Sequence, residues 1–281
     1  MRVINSIESE HMPSSTDASV RVLVVGESWI KHTVHVKGFD QFHTTEYEEG
    51  GQVFLDALRA SGIHVTYIRA HEISQAFPTT AEDLQRFDVV VISDVGSNSF
   101  LLTDETFLRS QPTTNRLSLL AEFVKAGGGL VMVGGYMSFT GIDGRARFKM
   151  STLAPVLPVT MLDYDDRVEV PEGFHATIET PNHPALGSTP AEWPILLGYN
   201  RIVAKPDATV VARCGQDPIL VAGEVGLGRS IAFASDIAPH WAPPQFLAWK
   251  HYGGLWSGIV RWAASRATYA TPPAHAAAGV D

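Results

Sequence analysis

The strongest constraint on this chain is a set of apolar, β-branched runs that do not alternate: residues 20–25 (VRVLVV), 88–93 (DVVVIS) and 130–133 (LVMV). A strand wetted on one face alternates polar and apolar positions, whereas a continuous run needs cover on both faces. Helical spacing appears between the runs. Residues 52–61 carry Val53, Phe54, Ala57 and Leu58, and Gly62 is a natural stop. Residues 116–126 form another helix, closed by Gly127, Gly128 and Gly129. Thr80, with Asp83 three positions on, starts a third, and residues 65–68 read as a further strand. Strands alternating with helices imply right-handed βαβ units and a parallel sheet. Ligands of such sheets gather at the carboxyl ends of the strands. Here those ends are residues 27–28, 69–72, 94–98 and 134–138.

After Gly141 the texture becomes proline-rich with short β-like runs. Residues 224–229 (EVGLGR) read as a hairpin tip between two strands. No helix follows Gly226 and Gly228, so this is not a dinucleotide loop. A tryptophan-rich helix over residues 246–264, with Trp249, Trp256 and Trp262, closes the fold. The organisation expected is a flexible extension at 1–19, one α/β domain over 20–265 with a β-rich second half, and a flexible tail at 266–281.

With 45% hydrophobic and 18% charged residues, a sizeable core is available. The formal charge of -9 argues against nucleic acid as a partner, since phosphate binding needs a basic surface. No run of about 20 apolar residues suggests a membrane span, and the N-terminus lacks the pattern of a secretory signal. A single cysteine, Cys214, leaves no intramolecular disulfide and fits a reducing cytoplasm.

Seven segments in order are GESW (26–29), KGFD (37–40), SDVGSN (93–98), GGGLVMVGGYMSF (127–139), GIDG (141–144), LLGYNR (196–201) and SDIAPHW (235–241). As a set they resemble the class I glutamine amidotransferase-like superfamily, in the branch near the trehalose-utilisation-like proteins. The resemblance covers roughly residues 20–262 and implies a flavodoxin-like, three-layer α/β fold. Glutaminase members use Cys, His and Glu, with the cysteine on a tight turn after a strand. The matching turn here, Gly134-Gly135-Tyr136, has no sulfur, and Cys214 lies on a later strand-like run. Where the family's His-x-Glu pair would follow a late strand, Asp236 and His240 stand at a different spacing. Thiol-dependent amidotransfer is therefore not the expected chemistry.

The strand ends still converge polar groups. Glu27, Tyr136, Asp236 and His240 are the expected catalytic set. A histidine oriented by a carboxylate suits proton transfer, and Tyr136 can donate a hydrogen bond to developing charge. Each has a structural alternative: a cap or ion pair for Glu27, loop packing for Tyr136, a backbone bond for His240. Ser28, Asp94, Asn98, Gly135 and Ser138 are expected to bind substrate, with Asp94 and Asn98 also suited to Asx turns. Residues 31–47 read as a long loop over the strand ends, a lid with Lys37 and Asp40 at the pocket rim. Asp143 and Arg145 sit in a Gly-bounded loop suited to an anion or to surface pairing with Asp165 or Asp166.

The expected function is a cysteine-independent small-molecule enzyme, hydrolase-type, acting on a polar or carbohydrate-related substrate without a cofactor. One alternative is a non-catalytic ligand-binding or assembly protein; another is a metal-dependent hydrolase using His32, His35 and His43. Homo-oligomerisation through the tryptophan-rich helix competes with burial of those rings in the helix's own core face.

Overall fold

The computed structural model describes residues 19–265; apart from Ser19, the segments expected at 1–19 and 266–281 lie outside them. Its centre is an eight-stranded sheet in the order β4-β1-β5-β6-β14-β13-β12-β9. The strands in chain order are β1 (Arg21–Gly26), β2 (Ser28–Lys37), β3 (Asp40–Glu49), β4 (His64–Ile68), β5 (Val89–Ser93), β6 (Gly129–Val133) and β7 (Val159–Met161). They continue with β8 (Arg167–Phe174), β9 (Thr177–Ile178), β10 (Leu196–Asn200), β11 (Ile202–Ala204), β12 (Thr209–Cys214), β13 (Asp217–Val225) and β14 (Gly228–Phe233). From β4 to β14 along the sheet every pairing is parallel. From β14 to β9 every pairing is antiparallel. The non-alternating runs became the sheet's interior, with every residue of β5 and β6 buried.

Helices cover this sheet as the apolar spacing requires. Gln52–Ala60 buries Phe54, Leu55 and Leu58. It packs beside Tyr252–Ala264, where the Phe54 and Trp256 rings meet edge-on at 5.1 Å. Arg116–Lys125 buries Leu117, Leu120, Ala121 and Val124, and Asn115 caps it by accepting the Leu117 and Ser118 N–H groups. Thr80 caps its helix through the Asp83 N–H as expected. The expected hairpin tip at 224–229 joins β13 to β14. The fold is thus the α/β amidotransferase type, with small antiparallel sheets β8–β10 and β7–β11 added in the second half.

Two expectations need correction. Residues 31–47 are not an irregular loop: β2 and β3 pair in register from Ser28–Glu49 to Lys37–Asp40. Gly38 (φ +65) and Phe39 form the two-residue turn, with positive φ at the first position only. That is the Gly-first hairpin turn, whose twist matches the flanking strands. Thr33, Val34, Val36, Phe42, Thr44 and Thr45 supply the β-branched and aromatic side chains. The C-terminal helix is also interrupted. A short Pro-initiated helix, Pro244–Leu247, precedes the main one, separated by a turn in which the Tyr252 N–H donates to the Trp249 carbonyl. Among the described residues no helix is long and apolar enough to cross a membrane.

Candidate functional site

Three acidic residues arrive together because β1, β5 and β14, parallel strands of one sheet with β6 between the last two, end at one level. Gly26 (φ +104) closes β1 where a Cβ would lie 2.0 Å from the Ser93 carbonyl oxygen, so only glycine passes. Glu27 follows in the left-handed region (φ 50), its N–H donating to Ser93 O at 3.0 Å. Its carboxyl is buried. Ser93 Oγ donates to Oε2 at 2.5 Å, and Oε1 has no hydrogen-bond partner. Asp94, after β5, is also left-handed (φ 42). Its N–H donates to Ser138 Oγ, and its Oδ1 accepts the Met137 N–H at 2.6 Å. Asp236, beyond β14, is fully buried. Its Oδ1 accepts the Ala238 N–H at 3.0 Å, and its Oδ2 has no partner.

Burial of like charges holds all three toward the neutral acid. Burial first, then the negative charge of Asp94, pushes Glu27 up to about 8 against the opposing Ser93 bond. Burial raises Asp94 against the Met137 N–H and the His240 charge. Asp236 is raised by burial and then by both neighbouring acids. Of the three, Asp94 alone is half-buried and reachable; the other two lie beneath the surface.

Aromatic rings form the rim. His240, itself exposed, stacks on Tyr136 at 5.1 Å between ring centres and lies 5.8 Å from the Trp29 ring centre. Tyr136 also meets Trp241 at 5.6 Å. Glu169 ties this rim together: the Tyr136 hydroxyl donates to its Oε1 at 2.9 Å and the Trp241 Nε1 donates to its Oε2 at 3.0 Å. The Arg167 guanidinium lies 4.7 Å from the Tyr136 ring centre. Trp29 Nε1 donates to Glu48 at 3.2 Å.

Both glycine N–H groups of the turn after β6 are engaged within the chain. The Gly134 N–H donates to Phe233 O at 2.8 Å, and the Gly135 N–H donates to Asn200 Oδ1 at 3.0 Å. Asn200 Nδ2 donates in turn to Asp166, whose buried carboxylate also takes the Thr140 and Gly141 N–H groups. Gly135 (φ +147) is required, since a Cβ there would sit 2.7 Å from Asp94 Oδ1.

Glu27, Asp94, Gly135, Tyr136, Asp236 and His240 therefore share one neighbourhood. The other sequence candidates lie elsewhere or are committed to structure. Ser28 Oγ accepts the Ala70 N–H, and Ser138 is buried with its hydroxyl on the Asp94 N–H. Lys37 and Asp40 stand at the far end of the β2–β3 hairpin, not at the strand ends, because the segment is a strand pair rather than a folded-back loop. Asn98 is exposed at the start of a short helix. Asp143 and Arg145 are exposed and paired to each other at 3.4 Å. His32 contacts Thr45, while His35 stacks on Phe42. Strand alternation sends His32 and His43 to one face of the hairpin and His35 to the other. Among the described residues no three His, Cys, Asp or Glu side chains gather to hold a metal ion. Trp29, Glu48, Arg167, Glu169 and Asn200 were missed; they approach from the hairpin and the second half, with no local signal in the chain. Cys214 ends β12 opposite Asp217, and burial pushes its thiol up, away from a thiolate.

Residues 21–265 match the family described as Putative glutamine amidotransferase, so this chain belongs to that family. Two solved structures of Salmonella typhimurium are similar to it over nearly their whole length. Cytoplasmic Protein STM3548 is 46% identical, with a TM-score of 0.85 over 88% of this chain and 99% of that one. Cytoplasmic Protein STM1381 is 46% identical, with a TM-score of 0.84 over 87% and 99%. A ThuA-like protein from Parabacteroides merdae shares the fold at 12% identity, with a TM-score of 0.52 over 91% and 94%. No curated protein matches the chain.

Proposed function

We propose that this protein is a cysteine-independent, hydrolase-type enzyme acting on a polar, ring-bearing small molecule such as a sugar derivative. One observation carries the reading: Glu27, Asp94 and Asp236 converge beyond the ends of β1, β5 and β14 beneath an aromatic rim, and all three favour the protonated form. A carboxyl kept neutral near pH 7 is a proton donor, and grouped acids whose charges oppose each other divide donor and acceptor roles. In this scheme Asp94 meets the substrate, Glu27 and Asp236 set its proton affinity, and water is the nucleophile. Asp94 gives its proton to the leaving oxygen while His240, exposed at the rim, takes the proton of water. Trp29, Tyr136 and His240 offer flat faces to the ring, and Tyr136 and His240 add polar edges.

A non-catalytic binding role is favoured by one feature. The Gly134, Gly135 and Met137 N–H groups that would stabilise an oxyanion are already bonded within the chain.

The test is a thermal-shift panel of neutral sugars, sugar acids and small amides, followed by mass spectrometry of any ligand that binds. A ligand at about 100 times its Kd adds about 2.7 kcal/mol to stability. The expected hit is a sugar derivative whose shift disappears in Asp94→Asn and shrinks in Tyr136→Phe, and which is converted to a hydrolysed product. A bound ligand left intact by the wild type selects the binding role. Absence of any hit, or shifts indifferent to both substitutions, overturns the site.

A further inference from the structure

Apart from His240, the side-chain donors of the aromatic rim end on carboxylates. The Trp29 Nε1–H and the Lys31 ammonium both donate to Glu48 Oε2, at 3.2 and 2.5 Å. The Tyr136 hydroxyl and the Trp241 Nε1–H take the two oxygens of Glu169, at 2.9 and 3.0 Å. Arg167 forks onto Asp165 through Nε and one terminal nitrogen, at 3.0 and 2.8 Å. Its other terminal nitrogen lies 3.9 Å from Glu169 Oε1. The Gly135 and Met137 N–H groups are bonded within the chain as well. What remains for a ligand is Asp94 Oδ2, the oxygen that Met137 does not bond, and the ring of exposed His240.

Those bonds set the polarity of the rim. A tyrosine hydroxyl has one proton to donate. Tyr136 gives it to Glu169 and meets a ligand with lone pairs alone. Each carboxylate oxygen can accept about two bonds, so Glu48 and Glu169 keep acceptor capacity. Charge runs the same way. Lys31 balances Glu48, while Arg167 stands between Asp165 and Glu169. Two cations thus face three carboxylates, above three buried acids. A carboxylate or phosphate on a ligand meets no unbalanced cation here, and His240, acting as base, is uncharged before the reaction. A ligand hydroxyl, by contrast, finds acceptors. Glu169 is central to this: its side chain is 49% exposed, and it holds two of the rim's rings at once.

We propose that Glu169 is the specificity-determining residue of this site. By taking the Tyr136 and Trp241 protons it turns the rim into a set of acceptors under negative charge. The site then admits an uncharged, hydroxyl-rich ring and rejects the carboxylate or phosphate form of the same ring. Selection of this kind works by repulsion as much as by attraction. It rests on the strand-end cluster being a site for a polar ring, and the experiment separates the two.

Matched pairs serve as probes: glucose and glucuronate, galactose and galacturonate, mannose and mannuronate. Binding to the full chain is followed by saturation-transfer NMR titration at neutral pH, and Asp94→Asn identifies the signal that belongs to the site. At least one hexose should bind, with its uronate weaker by on the order of tenfold, the effect of one like charge at close range. In Glu169→Gln the charge is gone, and the amide can accept from Tyr136 or Trp241 but not from both. The gap should close there, chiefly through gain of uronate binding. Glu169→Asp keeps the charge and should keep the gap, even where both ligands weaken, because a merely structural role moves both members of a pair alike. In the wild type itself, salt near 1 M, with a screening length of about 3 Å, should narrow the gap. A uronate bound as tightly as its hexose, or a gap indifferent to both Glu169→Gln and salt, overturns the role of Glu169 while Asp94-dependent hexose binding leaves the site standing. Absence of any Asp94-dependent hexose signal overturns the site and this specificity with it.

Discussion

Glu27 and Asp94 directly follow Gly26 and Ser93, the last register pair of two adjacent parallel strands, and both lie in the left-handed region, at φ 50 and 42. Non-glycine residues held there cost about 1–3 kcal/mol each. The fold accepts that cost twice, side by side, to bring two carboxyls together.

Stability should therefore fall as pH rises. Glu27 is held at about 8 against an ordinary value of 4.5. Between those values the folded chain keeps a proton that the unfolded chain has released. The stabilisation is complete below 4.5 and is lost as pH climbs through about 8, by at most about 1.4 kcal/mol per pH unit. Asp94 and Asp236 shift in the same direction and add to the slope. Urea unfolding at pH 5, 6.5 and 8 should show a wild-type midpoint that declines with pH. Glu27→Gln, neutral throughout, should show a shallower decline and be the more stable protein at pH 8. Equal slopes would mean that Glu27 ionises freely in the fold.

Gly135→Ala should destabilise by about 3 kcal/mol. The added Cβ meets Asp94 Oδ1 at 2.7 Å on a backbone at φ +147. Relief by moving Asp94 breaks its bond from the Met137 N–H. Chemical denaturation measures the loss, and a wild-type midpoint would show that the turn can relax without moving Asp94.

Cys214 should be dispensable. It lies on the antiparallel side of the sheet, with its thiol held protonated by burial. Cys214→Ser and treatment with iodoacetamide should leave ligand binding and turnover unchanged in calorimetry and product assays. Loss of turnover in the serine variant would restore a thiol mechanism.

The parallel core was legible because residues 20–25, 88–93 and 130–133 are apolar without alternation, a pattern only a doubly covered strand needs. From it the strand-end rule reached Glu27, Asp94 and Asp236, whose positions follow from strand length alone. The hairpin was not legible as such. Both its faces meet water at most positions, so Lys31, His32 and Glu46 masked the strand pattern, although Gly38-Phe39 between Lys37 and Asp40 was a turn signal. Glu169 could not be inferred either, because it reaches Tyr136 and Trp241 from 33 and 72 positions away. Nothing near Arg167 or Val168 marks it as a partner.

The unpartnered oxygens of Glu27 and Asp236 bear on how this protein should be engineered. Apolar replacements of similar volume at these two positions would remove a buried, unpartnered polar oxygen each and raise the melting temperature. A selection that rewards heat resistance alone would therefore erase this acidic cluster early. Libraries built on this scaffold should hold Glu27, Asp94 and Asp236 constant and seek their gains in the helices.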